Sequence, residues 1–166
     1  MTNIKTLTIE TNDIPPFLSK SNFSVSVWFT GCSHACKGCQ NQILCDFDYN
    51  GLELDFIKNE LKIRRTLCDW LVFTGGDPYH PKNREIASII AQYGKKLNYK
   101  TFMYTGYSSY DKYTKGIDYI KLGKYIENDN KDDFFFISTN QEIWDVEKNK
   151  KIYWYENNKV YNLIGE

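Results

Sequence analysis

The stretch "FSVSVWFTGCSHACKGCQN", Phe23 to Asn41, carries the decisive pattern of this chain. Its first eight residues, Phe23 to Thr30, are rich in β-branched and aromatic side chains, which predicts a strand. Beyond Thr30 the chain has the period of neither helix nor strand. Three cysteines, Cys32, Cys36 and Cys39, stand there at C-x3-C-x2-C spacing. Gly31 and Gly38 allow the bends that turn three thiols toward one point. The loop is therefore predicted to wrap around a bound object.

Working outward, strands and helices alternate. "LDFIKNELKIRRTL", Leu54 to Leu67, sets Phe56, Ile57, Leu61 and Ile63 at near-helical intervals. "WLVF", Trp70 to Phe73, reads as a short buried strand that runs into "TGGDP". Asn83 to Leu97 repeats Ile86, Ile89, Ile90 and Tyr93 as an amphipathic helix does. Further strands are predicted at Lys100 to Thr105, at Ile117 to Leu122 and at Phe134 to Ser138. The tail, Lys151 to Leu163, predicts a hairpin turning at Asn157–Asn158. Glu127 to Asp133, "ENDNKDD", reads as a solvated connection. This order predicts an α/β fold with a mostly parallel sheet and right-handed crossovers, in one domain spanning 1–166. Ligands of such sheets collect at the carboxyl ends of the strands. The cysteine loop, "TGGDP" and "TGY" (Thr105 to Tyr107) all stand at such ends.

Composition narrows the function. Lys+Arg and Asp+Glu are both 21, and a formal charge of zero argues against a general grip on nucleic acid or anionic membrane. The 16% aromatic content, with 13 Tyr, reads as core and surface packing rather than base stacking. No apolar run reaches bilayer length, and "MTNIKTLTIETND" lacks the apolar segment of a secretory signal. The expected location is the cytoplasm, where thiols stay reduced. Five cysteines cannot all pair, which also favours metal or redox chemistry over disulfides.

Two objects suit the loop. An iron–sulfur cluster takes thiolate ligands, and three of them on a four-iron cluster leave one iron open to a substrate. Zinc is the alternative, with His34 completing a Cys3His set. His34 lies between the first two cysteines, so that set would need a very tight loop. Cys45 is a more distant fourth candidate, but Cys45 and Cys68 both read as isolated small buried residues.

Taken in order, these motifs resemble the radical S-adenosylmethionine superfamily. Within it they resemble the small glycyl-radical activases of anaerobic ribonucleoside-triphosphate reductase. "VWFTGCSHACKGCQN" is similar to that family's cluster loop, and "CDFDYNG" (Cys45 to Gly51) to the stretch after it. "FTGGDPYHPKN" (Phe73 to Asn83), "YTGY" (Tyr104 to Tyr107) and "STNQEIWDV" (Ser138 to Val146) resemble its later segments. The resemblance implies a partial (βα) barrel of the radical S-adenosylmethionine type, with a mostly parallel sheet and its open side facing a large protein substrate. It implies a [4Fe-4S] cluster on Cys32, Cys36 and Cys39, with S-adenosylmethionine chelated at the open iron. One electron, from a donor such as flavodoxin or ferredoxin, then cleaves the sulfonium bond. Hydrogen is removed in turn from a glycine Cα of the reductase, with no catalytic residue beyond the cluster ligands.

The resemblance also assigns cofactor contacts. Gly38, Cys39 and Gln40 would face the nucleoside, Gly75 and Gly76 would bring carbonyls to the amino group, Asp77 would pair with that amine, and Thr105 would meet the methionyl end. Alone, "TGGDP" would be an ordinary Gly-Gly turn. The chain departs from the family at "KLGKY" (Lys121 to Tyr125), where better-known activases have "VDG". "FISTNQ" lacks the Arg of "RGSSNQ", which leaves Asn140 and Gln141 as peripheral candidates; His80 reads as a turn residue. Two other readings stand beside this one. A small-molecule radical enzyme resembling 7-carboxy-7-deazaguanine synthase would need a closed pocket, for which no basic cluster or extra segment is visible. A zinc-stabilised binding module would need only the metal.

Overall fold

Strand β3 (Trp70–Gly75) shows how the sheet is covered. Successive side chains of a strand point to opposite faces. Leu71 and Phe73 enter one core with Ile57 and Leu61 of helix α1 (Leu54–Arg64) and Ile90 and Ala91 of helix α2 (Arg84–Lys96). Trp70 and Val72 enter a second core with Phe102, Ile143, Ile152 and Tyr153. Both faces are therefore apolar, as a sheet covered on two sides requires. The computed structural model describes residues 1–11, 18, 23–131 and 137–164.

The remaining strands are β1 (Ile4–Glu10), β2 (Ser24–Phe29), β4 (Lys100–Tyr104), β5 (Tyr119–Leu122), β6 (Glu142–Asp145), β7 (Lys150–Glu156) and β8 (Lys159–Asn162). They form one eight-stranded sheet in the order β1 to β8, with β1 and β8 at its edges. The central pairings β2–β3, β3–β4 and β4–β5 are parallel, and α1 and α2 make the first two crossovers. The expectation of a mostly parallel sheet is corrected. The other four pairings, β1–β2, β5–β6, β6–β7 and β7–β8, are antiparallel. A parallel crossover needs about a dozen residues. Only residues 146–149 separate β6 from β7, and only Asn157–Asn158 separate β7 from β8, so the C-terminal strands can only fold back. At that last turn both asparagines are left-handed, φ 51 and 59, as the predicted hairpin demands.

Both predicted helices form, each shorter than its apolar pattern. In α1, Ile57 and Leu61 are wholly buried, and each contributes roughly 1.5–3 kcal/mol of hydrophobic stabilisation. Phe56 and Ile63 lie off that stripe and are exposed. In α2 the buried stripe is Ala87, Ile90, Ala91 and Gly94, while Ile89 turns outward. Of the predicted strand at Phe134 to Ser138, residues 134–136 lie outside the described residues, and Ile137 and Ser138 belong to no strand. Among the described residues, no helix is long and apolar enough to cross a membrane.

Candidate metal centre

The cysteine loop leaves β2 at Thr30 and is laced to its surroundings by backbone. Thr30 N donates to Asn3 O (2.7 Å), Gly31 N to Leu44 O (2.8 Å) and Cys32 N to Cys45 O (2.9 Å). The "TGG" at the end of β3 then lies directly against it. Gly76 N donates to Phe29 O (2.8 Å) and Asp77 N to Gly31 O (2.9 Å). A Cβ on Gly75 would stand 2.5 Å from Phe29 O, and one on Gly76 would stand 2.7 Å from both Gly31 O and Leu44 O. These contacts are with backbone, which cannot swing aside. The paired glycines are thus required by the loop's own approach.

Asp77 fastens the loop to the neighbouring strand ends. Its carboxylate is 1% exposed and accepts from four donors. These are Tyr79 N (2.8 Å), Thr105 Oγ1 (2.8 Å), Gly106 N (3.0 Å) and His34 Nε2 (2.6 Å). Such a set fills the oxygens' capacity for hydrogen bonds. It joins the cysteine loop, the end of β3 and the end of β4 at one buried side chain. The His34 ring also meets Tyr107 edge-on, with centroids 4.7 Å apart.

Asn83, at the start of α2, completes the junction. It is wholly buried, donates to Thr30 O and Asp77 O (2.9 Å each), and accepts from Asn3 Nδ2 (2.8 Å). Sequence reasoning sees it only as a helix start. An asparagine directly ahead of an amphipathic helix is the signal, but here its side chain caps tertiary carbonyls instead of the helix.

Cys32, Cys36 and Cys39 are free and half-buried on this loop. Gly31, Ala35 and Gly38 all take positive φ, so the backbone reverses repeatedly between the thiols. Asn41 N donates to Cys39 Sγ (3.4 Å). Burial pushes the Cys32 thiol up to about 11, against a lowering contribution from the His34 backbone N–H. A bound metal ion favours the thiolate and opposes this shift. Cys45, expected to be an isolated buried residue, is instead half-exposed beside the loop. Its thiol donates to Asn41 O (3.8 Å), and burial followed by the neighbouring Cys39 raises its pKa. Cys68 is wholly buried, as expected.

The other candidates divide. Gly38 and Gln40 are exposed on the loop's rim, where Gly38 faces the Glu127 side chain. Thr105 is buried with its hydroxyl committed to Asp77. Asn140 Nδ2 donates to Lys124 O (3.0 Å) and Gln141 Nε2 to Gly123 O (3.2 Å), so the "STNQ" segment braces the "KLGKY" turn. His80 is a turn residue whose Nδ1 accepts from Lys82 N (3.2 Å).

Three free thiols on one loop, with a backbone N–H turned to sulfur, make a donor set that fits an iron–sulfur cluster. The fold and the loop together define a single-cluster iron–sulfur domain, and the family described as a 4Fe-4S single cluster domain matches residues 23–144. The anaerobic ribonucleoside-triphosphate reductase-activating protein of Enterobacteria phage T4 is 30% identical over 139 residues, covering 77% of this chain and 87% of that one. The Haemophilus influenzae protein of the same name is 33% identical over 114 residues, covering 61% and 74%. The chain belongs to the family of anaerobic ribonucleoside-triphosphate reductase-activating proteins.

Proposed function

We propose that this chain is a radical S-adenosylmethionine enzyme that installs a glycyl radical on anaerobic ribonucleoside-triphosphate reductase. The observation that carries the proposal is the three-thiol loop pinned at the carboxyl edge of the parallel strands. When bound, the cluster and S-adenosylmethionine supply one-electron cleavage of the sulfonium bond and hydrogen abstraction from a glycine Cα. Cys32, Cys36 and Cys39 would hold the cluster and leave it an open position for S-adenosylmethionine. Gly75 and Gly76, by letting the cysteine loop pack directly on the β3 end, would bring backbone carbonyls to that cofactor's amino group. Gly38, Cys39 and Gln40 would flank its nucleoside. Asp77 and Thr105 act chiefly by positioning, because their polar atoms already bind each other and the strand ends. We take the three parallel pairings as this chain's share of a partial (βα) barrel. The five free thiols suit a reducing cytoplasm, with flavodoxin or ferredoxin as electron donor.

The test is electron paramagnetic resonance on an anaerobic mixture of the reconstituted protein, a reductant, S-adenosylmethionine and the reductase of the same genome. The expected outcome is a glycyl-radical doublet that requires every component. Formation of 5′-deoxyadenosine without the doublet would keep the radical chemistry and reject this partner. Neither product from a cluster-loaded sample would reject both.

A further inference from the structure

The structure brings together a second, mixed donor set that the three-thiol centre does not account for. Cys32 Sγ, a ring nitrogen of His34 and a carboxylate oxygen of Asp77 all lie within 4.8 Å of one another. The sequence raises His34 only as a partner of three cysteines, for which its loop is too tight. The structure gives it different company. The His34 and Asp77 side chains are 9% and 1% exposed, with Nε2 and Oδ2 already 2.6 Å apart. Both are fixed by the fold. Tyr107 meets the imidazole edge-on, and a Cβ on Gly106 would come within 2.4 Å of that ring. Thr105, Gly106 and Tyr79 hold the carboxylate. One thiolate, one imidazole and one carboxylate suit Zn²⁺, with Co²⁺ a close mimic, and three protein ligands leave a fourth, open position.

We propose that Cys32, His34 and Asp77 form a mononuclear divalent-metal site, fitted best to Zn²⁺, whose occupation excludes the cluster. The exclusion rests on the reading of Cys32 as a cluster ligand, since one sulfur then serves both. On binding, Cys32 gives up its thiol proton to solvent, and His34 moves to its Nδ1–H tautomer, so that Nε2 offers a lone pair to the metal in place of its hydrogen bond to Asp77 Oδ2. One proton is released and no electron moves. With metal–ligand bonds of about 2.0–2.2 Å, the nitrogen and oxygen need separate by less than about 1 Å from their present contact. Cys36 and Cys39 take no part, which distinguishes this site from zinc on three cysteines.

The test uses the full-length, cluster-free protein under anaerobic conditions, titrated with Co²⁺ alone and followed by thiolate-to-cobalt charge transfer in the near ultraviolet. The expected result is one Co²⁺ bound with a single-thiolate band that Zn²⁺ displaces. The double variant Cys36→Ser/Cys39→Ser keeps that band. Cys32→Ser loses it, and His34→Gln, which can still donate to Asp77, binds about tenfold more weakly or worse. Circular dichroism confirms that each variant is folded. Loss of the band in the double variant, or undiminished binding by His34→Gln, overturns the site. In that event normal cluster assembly in the wild type would leave the activase reading intact. Zn²⁺-loaded protein offered iron and sulfide should form less cluster than metal-free protein; equal formation overturns the exclusion.

Discussion

Asn83 does at one position what a disulfide or a metal does elsewhere: it holds three chain segments that are distant in sequence. Replacing it with Ala would leave the Thr30 and Asp77 carbonyls and the Asn3 amide without that partner. Buried polar groups stripped of partners are costly, so Asn83→Ala should lower stability by about 2–4 kcal/mol in urea unfolding. Lys121, on β5, is a second buried polar residue with a measurable consequence. Burial lowers its pKa from 10.5 to about 8. Between those values the unfolded chain binds a proton that the folded chain does not, so its contribution favours folding more as pH rises from about 8 toward 10.5. Below about pH 8 the cost of burying the charge is present in full. The difference between wild-type and Lys121→Met urea midpoints, taken anaerobically at several pH values across this range, should therefore shift in favour of the wild type as pH rises, since the thiols and tyrosines that burial shifts upward act on both proteins alike. An identical trend would mean that Lys121 titrates normally.

At the scale of elements, local chemistry fixes some features and the rest depend on distant contacts. The β7–β8 turn is of the first kind. Both of its residues are asparagines at positive φ, and a β-branched residue resists that conformation. Asn158→Val should cost about 1–2 kcal/mol, read as a lower thermal midpoint, with α1 and α2 unaffected in the helical circular dichroism signal. The βαβαβ core from β2 to β4 was legible for the same reason: its helices and strands have distinct apolar periods. β1 and β6 were not. Only Ile4 and Leu7 of β1 are buried, and Ile143 is the single wholly buried residue of β6, so neither has a run long enough to declare itself. Their partners across the sheet decide them. The site divides in the same way. The cysteine spacing and the glycine pair can be read directly, because a loop around a ligand has few chemical solutions. The Asp77–His34–Thr105 junction cannot, since its members are 43 and 28 residues apart and meet only once the sheet has formed.

For the whole molecule, what matters is which atoms hold the centre together. Gly31, Cys32, Gly76, Asp77 and Asn83 are tied by hydrogen bonds from protein to protein. The two packed cores lie on the sheet's faces and are built from helices and strands outside the cysteine loop. Stripping iron with a chelator under reducing conditions should therefore leave the far-ultraviolet circular dichroism essentially unchanged and the unfolding transition cooperative. Collapse to a disordered chain would show that the cluster organises the fold, as zinc does in small finger domains. The loop's tether, Cys32 N to Cys45 O, has a further consequence. It closes the chain from 32 to 45 into a small backbone ring around the thiols, anchored at its neck and held further along by His34 on Asp77 and Asn41 on Gly75. The order of events then follows from the backbone: the polypeptide closes this ring with its own hydrogen bonds, before any inorganic part is added.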